Sequence, residues 1–173
     1  RLNKKIRSNT MIVLIESVIL CIVFTIMVYV MSRNPITTLY NYPPKIQERV
    51  KSMKEYKDKI PTTKNKIWAK GIASIIIVVI VSLILRYINN YTTFLEAFLN
   101  GYLIWTIVNI YDVIVMDIIW FCHSKEFVFK GTEDMEKEYK DYFFHVKGAF
   151  IGIILGLIVA LSSGCIIHLI FKI

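Results

Sequence analysis

Residues 148–171 read GAFIGIILGLIVALSSGCIIHLIF, a run without lysine, arginine, aspartate or glutamate. A helix crossing the hydrocarbon core needs about 20 mostly apolar residues, and a run of about 18 or more with few or no charges is a spanning candidate. Residues 11–31, 71–88 and 94–121 meet the same requirement. The 173-residue chain is 55% hydrophobic with a mean hydropathy of +0.54, above the roughly 45–50% apolar content of soluble domains. What lies between the spans is too small for a soluble domain that folds by itself. The expected fold is therefore all-α: one polytopic membrane domain over residues 1–173, four transmembrane helices in a bundle, with a cytoplasmic amphipathic helix between the first two.

Within the quoted run, Gly148, Gly152, Gly156, Ala160 and Gly164 recur every fourth residue, and His168 continues the row. Small residues in line let two helix backbones approach closely, which is how helices associate where lipid supplies no hydrophobic drive. The pattern predicts close packing inside the bundle or between two copies of the chain, a homodimer through the fourth helix, without choosing between them.

Charge is uneven. The net charge is +8, and fifteen of the 21 lysines and arginines fall in the first and third loops, which share one side of a four-span protein. The positive-inside rule places both loops in the cytoplasm and both termini outside, against the pull of the basic tail Arg1, Lys4, Lys5 and Arg7. The anionic partner of such a chain is the lipid surface rather than nucleic acid. The start at Arg1 leaves room for native residues before it. The first apolar run is longer than a signal-peptide core and ends without a small-residue cleavage pattern, so it reads as a retained span. Cys21, Cys122 and Cys165 are odd in number, with two inside spans, and imply no disulfide framework.

The first loop carries breakers at Pro35 and at Pro43-Pro44. From 45 to 60, Ile46, Val50, Met53, Tyr56 and Ile60 make a stripe at helical spacing between basic and acidic residues. It reads as one helix ended by Pro61-Thr62-Thr63, lying on anionic headgroups or capping the bundle. The second span is almost purely aliphatic, and the short connection through Asn89-Asn90 makes spans two and three a hairpin. In the third loop, Thr132 reads as the N-cap of a helix over 133–147, with Glu133, Asp134 and Glu136 in its first turn.

Polar chemistry concentrates in the third span. At 100° per residue, Tyr102, Trp105, Asn109, Asp112 and Met116 fall on one inward face, and Asp117 lies off it near the loop interface. A carboxylate in lipid costs at least about 2.5–3.5 kcal/mol, so Asp112 needs protein partners or a watery cavity. At the loop-bearing face Asp117, Cys122, His123, Glu133, Asp141 and His145 converge. Asp141 and His145, four apart, are expected to share a helical face, where the carboxylate could orient the imidazole. Cys122-His123 with Glu126 does not match zinc-ligand spacing, and no metal or cofactor is expected. Glu16 is expected to snorkel outward or pair with Arg86. There is no Walker A loop, dinucleotide glycine fingerprint, HExxH or GxSxG, which argues against nucleotide-driven pumps and familiar hydrolases.

The segments Asn109-Ile110-Tyr111-Asp112, Asp117-Ile118-Ile119-Trp120, Gly131-Thr132-Glu133 and Tyr139-Lys140-Asp141-Tyr142, with His145 and Gly148, resemble a group of uncharacterised bacterial multi-span membrane proteins. The resemblance covers the third span to the start of the fourth. It implies four spans and a bacterial cell membrane, and brings no activity, cofactor or catalytic residue. Three functions stay open. The first is a binding or transport-type protein whose cavity is lined by Tyr102, Trp105, Asn109 and Asp112 and entered past Asp117, Glu133, Asp141 and His145, taking a cationic or amphiphilic molecule. The second is a membrane-embedded enzyme on a lipid or isoprenoid, with His145 as base and Asp117 or Asp141 as its partner. The third is a non-catalytic subunit using its basic helix to contact lipid or a partner.

Overall fold

The computed structural model describes residues 2–60 and 63–170. It is helical throughout, with no strand among the described residues. The long helices are α1 (Leu2–Ser32), α4 (Thr63–Leu83), α5 (Phe94–Tyr111) and α7 (Tyr142–Ile170); α2 (Pro44–Ser52), α3 (Lys54–Lys57) and α6 (Glu136–Tyr139) are short. Four stretches are long and apolar enough to cross a membrane: Thr10–Ser32, Gly71–Ile88, Phe94–His123 and Glu136–Ile170. They match the four runs read from the sequence. Apolar residues such as Leu14, Ile75, Leu99 and Ile154 remain half or more exposed on the bundle's outside, as lipid-facing side chains do.

Helix α7 packs along α5 and against α4, while α1 packs against α5. Val13, Leu85, Tyr91, Ala97, Ile104 and Ile167 form an apolar cluster that includes the end opposite the large loops. The other cluster is made by the loops themselves. Ile36, Leu39, Tyr42, Ile46 and Val50 pack on Phe121, Phe127, Phe129 and Tyr139, with Tyr42 set edge-on to Phe121 and tilted on Phe129, both at 5.0 Å between ring centroids. This cap sits over the ends of α1 and the third span and the start of α7.

The cap changes several expectations. The stripe over 45–60 is broken: Met53 is extended, with φ −81° and ψ 127°, so α2 stops at Ser52 and α3 follows. The break keeps Ile46 and Val50 fully buried on the aromatic cluster, so the stripe covers protein and its lysines face outward. The terminator Pro61-Thr62 lies outside the described residues. Thr132 is no N-cap; its buried hydroxyl donates to Phe129 O and pairs with the Tyr139 hydroxyl. The helix expected over 133–147 is split by a turn at Lys140 and Asp141. Asp141 Oδ1 then accepts the Phe144 N–H at 3.0 Å, the N-cap geometry that opens α7.

The third span is not α-helical throughout. After Tyr111 it continues as a π-helix, Asp112–Trp120, and ends in a 3-10 turn, Phe121–His123. The wider turn resets which residues share a face. With i→i+5 bonding the turn is wider, so residues five apart come nearer to one face than in an α-helix, and Asp112 and Asp117 are five apart.

Candidate functional site

The row of small residues on α7 is occupied by α5. Built on Gly156, a Cβ would come within 2.1 Å of the Trp105 ring; on Gly152, within 2.1 Å of Asn109 Oδ1; on Gly164, within 3.0 Å of Phe94. Bare backbone at these positions exposes carbonyls, and the polar residues of α5 use them. Trp105 Nε1 donates to Gly152 O at 2.9 Å and Asn109 Nδ2 to Ala149 O at 3.0 Å. Ala160 and Gly164 are buried in the same interface. Tyr102 stacks at 6.2 Å on Phe98. The three residues expected to line a cavity, Tyr102, Trp105 and Asn109, are therefore packing residues. They face inward as read, but their donors meet α7 backbone or they stack along their own helix.

The cavity lies farther along, where the π segment begins. It measures about 630 Å³ and sits at the loop-bearing end of the bundle. Phe24, Val28, Met31 and Ser32 line it from α1, Asp112, Met116 and Asp117 from the π segment, and His145, Lys147 and Gly148 from α7. The cap closes it with Thr38, Tyr40 and Tyr42.

Two of the predicted site residues are coupled here. His145 Nδ1 lies 3.2 Å from Asp117 Oδ2. The imidazole is 4% exposed, walled by Phe121 at 5.0 Å between ring centres and by the buried Cys122 thiol. The expected Asp141–His145 pairing is not formed, because Asp141 lies before the first turn of α7 and is spent on its cap. Glu133 is exposed on the loop and outside the cavity lining. Its Oε2 accepts the Gly131 N–H at 2.8 Å, and backbone N–H groups of Glu133 and Gly131 hold its carboxyl below the usual carboxylate range. Gly131 adopts φ +86°, a conformation few other residues tolerate.

Asp112 is half-buried, lines the cavity, and accepts no hydrogen bond from any described residue. A residue missed by the sequence reading completes the wall: Tyr42, 2% exposed, whose hydroxyl has no hydrogen-bond partner among the described residues. Burial, the larger cause, and the nearby Tyr139 push its pKa well above the ordinary tyrosine value. The signal that could have found it was Tyr42-Pro43-Pro44, an aromatic residue fixed just ahead of a helix start.

Other candidates are used structurally. His123 Nδ1 is 2.9 Å from Ile118 O. Glu16 Oε2 accepts from Asn89 Nδ2 at 2.9 Å, tying α1 to the short connection after α4. No cluster of three histidine, cysteine or acidic side chains placed to hold a metal occurs among the described residues. No protein-family model, curated protein or solved structure matches the chain.

Proposed function

We propose that this is a binding or transport-type membrane protein that takes a small amphiphilic molecule, cationic at its polar end, into the cavity between α1, the π segment and α7. Asp112 carries the reading. A carboxylate inside a spanning segment costs at least about 2.5–3.5 kcal/mol, and a structural one recovers that through donors. Asp112 has none among the described residues and opens onto about 630 Å³ of space. Asp117, five residues on, adds a second carboxylate, and Phe24, Val28 and Phe127 supply apolar wall. The basic loops argue for a cavity opening toward the cytoplasm, and the sequence resemblance for a bacterial plasma membrane. The exposed Lys51 and Lys54 of the cap would rest on anionic headgroups. A second copy of the chain would need a face other than Gly152, Gly156 and Gly164, which α5 covers.

The deciding experiment compares wild type with Asp112→Ala in nanodiscs by native mass spectrometry. The expected result is a stoichiometric small molecule or lipid in the wild type that is lost in the variant. A correctly folded but empty wild type would overturn the reading.

The Asp117–His145 contact favours a second reading, a membrane-embedded enzyme in which Asp117 orients His145 as a general base toward a lipid substrate. Turnover abolished by His145→Gln would support it. Recovery of bound lipid chemically unchanged after incubation would exclude it.

A further inference from the structure

The cavity holds charges of opposite sign that the chain does not neutralise. Asp112 faces it without a donor, and Lys147, exposed on α7, lines the same space without an ion pair or hydrogen bond among the described residues. The antiparallel register fixes which turns meet. Asn109 meets Ala149 and Trp105 meets Gly152, so the next turn of the third span brings Asp112 beside the first turns of α7, the stretch that carries His145 and Lys147. The two side chains line one cavity from different walls, and no salt bridge joins them among the described residues. Between them a simple cation would leave Lys147 opposed, and a simple anion would leave Asp112 opposed, since Asp117 already has His145. A group carrying both charges satisfies each wall. Tyr42 adds a buried hydroxyl with no partner on the cap side.

The cavity also has a side door. Helices α1 and α7 each pack on α5 but make no extended contact with one another. Phe24 and Val28 line the cavity on one side of this gap, Gly148 and Ile151 on the other. A Cβ on Gly148 would meet nothing within 4 Å. Ile151, which lines the cavity, and Ile154 one turn on are exposed on α7, the kind of surface that acyl chains cover in a bilayer.

Resting on the binding function above, we propose that the ligand is a zwitterionic aminophospholipid that enters sideways between α1 and α7, its primary ammonium on Asp112, its phosphate on Lys147 and its acyl chains left in the gap. The two-carbon link between phosphate and ammonium suits opposite charges held apart on different walls of one cavity. The ammonium must be primary because an unpartnered carboxylate calls for N–H donors, which a trimethylated ammonium lacks.

The test uses the full chain in nanodiscs, with native mass spectrometry after exchange against vesicles of phosphatidylethanolamine, phosphatidylcholine or phosphatidylglycerol. Wild type should retain phosphatidylethanolamine about tenfold or more over the other two, the ratio that one charge-assisted hydrogen bond of roughly 1.5 kcal/mol supplies. Asp112→Asn should bring the three lipids to near parity. Lys147→Gln, at an exposed position that folding tolerates, should weaken phosphatidylethanolamine and phosphatidylcholine alike by about tenfold while keeping their order. Gly148→Leu, which meets no neighbour, should exclude all three. Equal retention of the three lipids by wild type, or preferences unchanged in both charge variants, overturns the proposal. A probe of dodecylamine separates the two levels: if it binds in an Asp112-dependent way while phosphatidylethanolamine does not, the binding function stands and the lipid assignment falls. If neither binds, both fall.

Discussion

The third span has two halves that treat polar side chains in opposite ways. Along α5, Trp105 and Asn109 reach carbonyls of α7, and the small residues opposite let the backbones come close enough for that. From Asp112 onward the helix widens into π geometry, and the polar groups face space and each other's neighbours instead of a backbone. One half closes the bundle and the other opens it. A polar residue inside a membrane span is thus no indicator of a cavity by itself; what matters is whether the facing helix offers an acceptor at that level.

The largest effect should come from filling the closed half. Gly156→Leu would drive a side chain into the Trp105 ring and should cost about 3 kcal/mol, read as the loss of unfolding midpoint in a denaturing-detergent titration. Gly148→Leu, two turns earlier in the same row, should stay within about 1 kcal/mol of wild type. Equal effects at the two glycines would erase the distinction between the halves.

The next comparison tests the sign. Asn109→Leu removes a bond to Ala149 O and should destabilise by about 1 kcal/mol, within the range for interhelical hydrogen bonds in membranes. Asp112→Leu removes a charge with no donor and should raise the same midpoint or leave it unchanged. A loss at Asp112 as large as at Asn109 would mean that the carboxylate is structural.

Tyr42 connects the open half to the cap, and its raised pKa gives a pH test. Below the ordinary tyrosine value of about 10 both folded and unfolded chains hold the proton, so its contribution is fully present. Above it the unfolded chain ionises first, and stability falls as pH rises. Near pH 11 wild type should therefore lose about 1 kcal/mol relative to Tyr42→Phe, with the two parallel at neutral pH. Coincident curves from pH 8 to 11 would show that the hydroxyl is not sealed as the structure has it. The smallest effect belongs to the cap's rim. Arg49 and Asp134 pair at 3.0 Å but both are exposed, so Arg49→Gln should change stability by no more than about 0.5 kcal/mol, and less in high salt.

The four spans were legible because the length of a predominantly apolar run is a property of the sequence alone. The close packing of the glycine row was legible too, but not its partner, since the residues of α5 that fill it, from Asn109 to Phe94, lie far away in sequence. The π segment was hidden for a specific reason. Projection at 100° per residue holds only for α geometry, and it put Asp117 off the face of Asp112, whereas the wider π turn brings the two nearer to one face. Asp141 was assigned to His145 by an i,i+4 rule that requires both residues to be helical, and Asp141 stands one residue before the helix. The stripe over 45–60 showed that this segment has an apolar face and left capping the bundle open, but not what it covers, since the cluster joins two loops distant in sequence.

The wide turn makes span length a variable in its own right. Deleting one residue from Asp112–Trp120 would rotate everything beyond the cut by one residue's turn, roughly a quarter of a revolution, relative to α5 without altering the apolar character of the segment. Asp117 would swing away from His145, and the aromatic residues under the cap would lose their register. The site is therefore sensitive to insertions and deletions where it would tolerate many substitutions, and a frame-preserving deletion scan across these residues would mark its edges more sharply than an alanine scan.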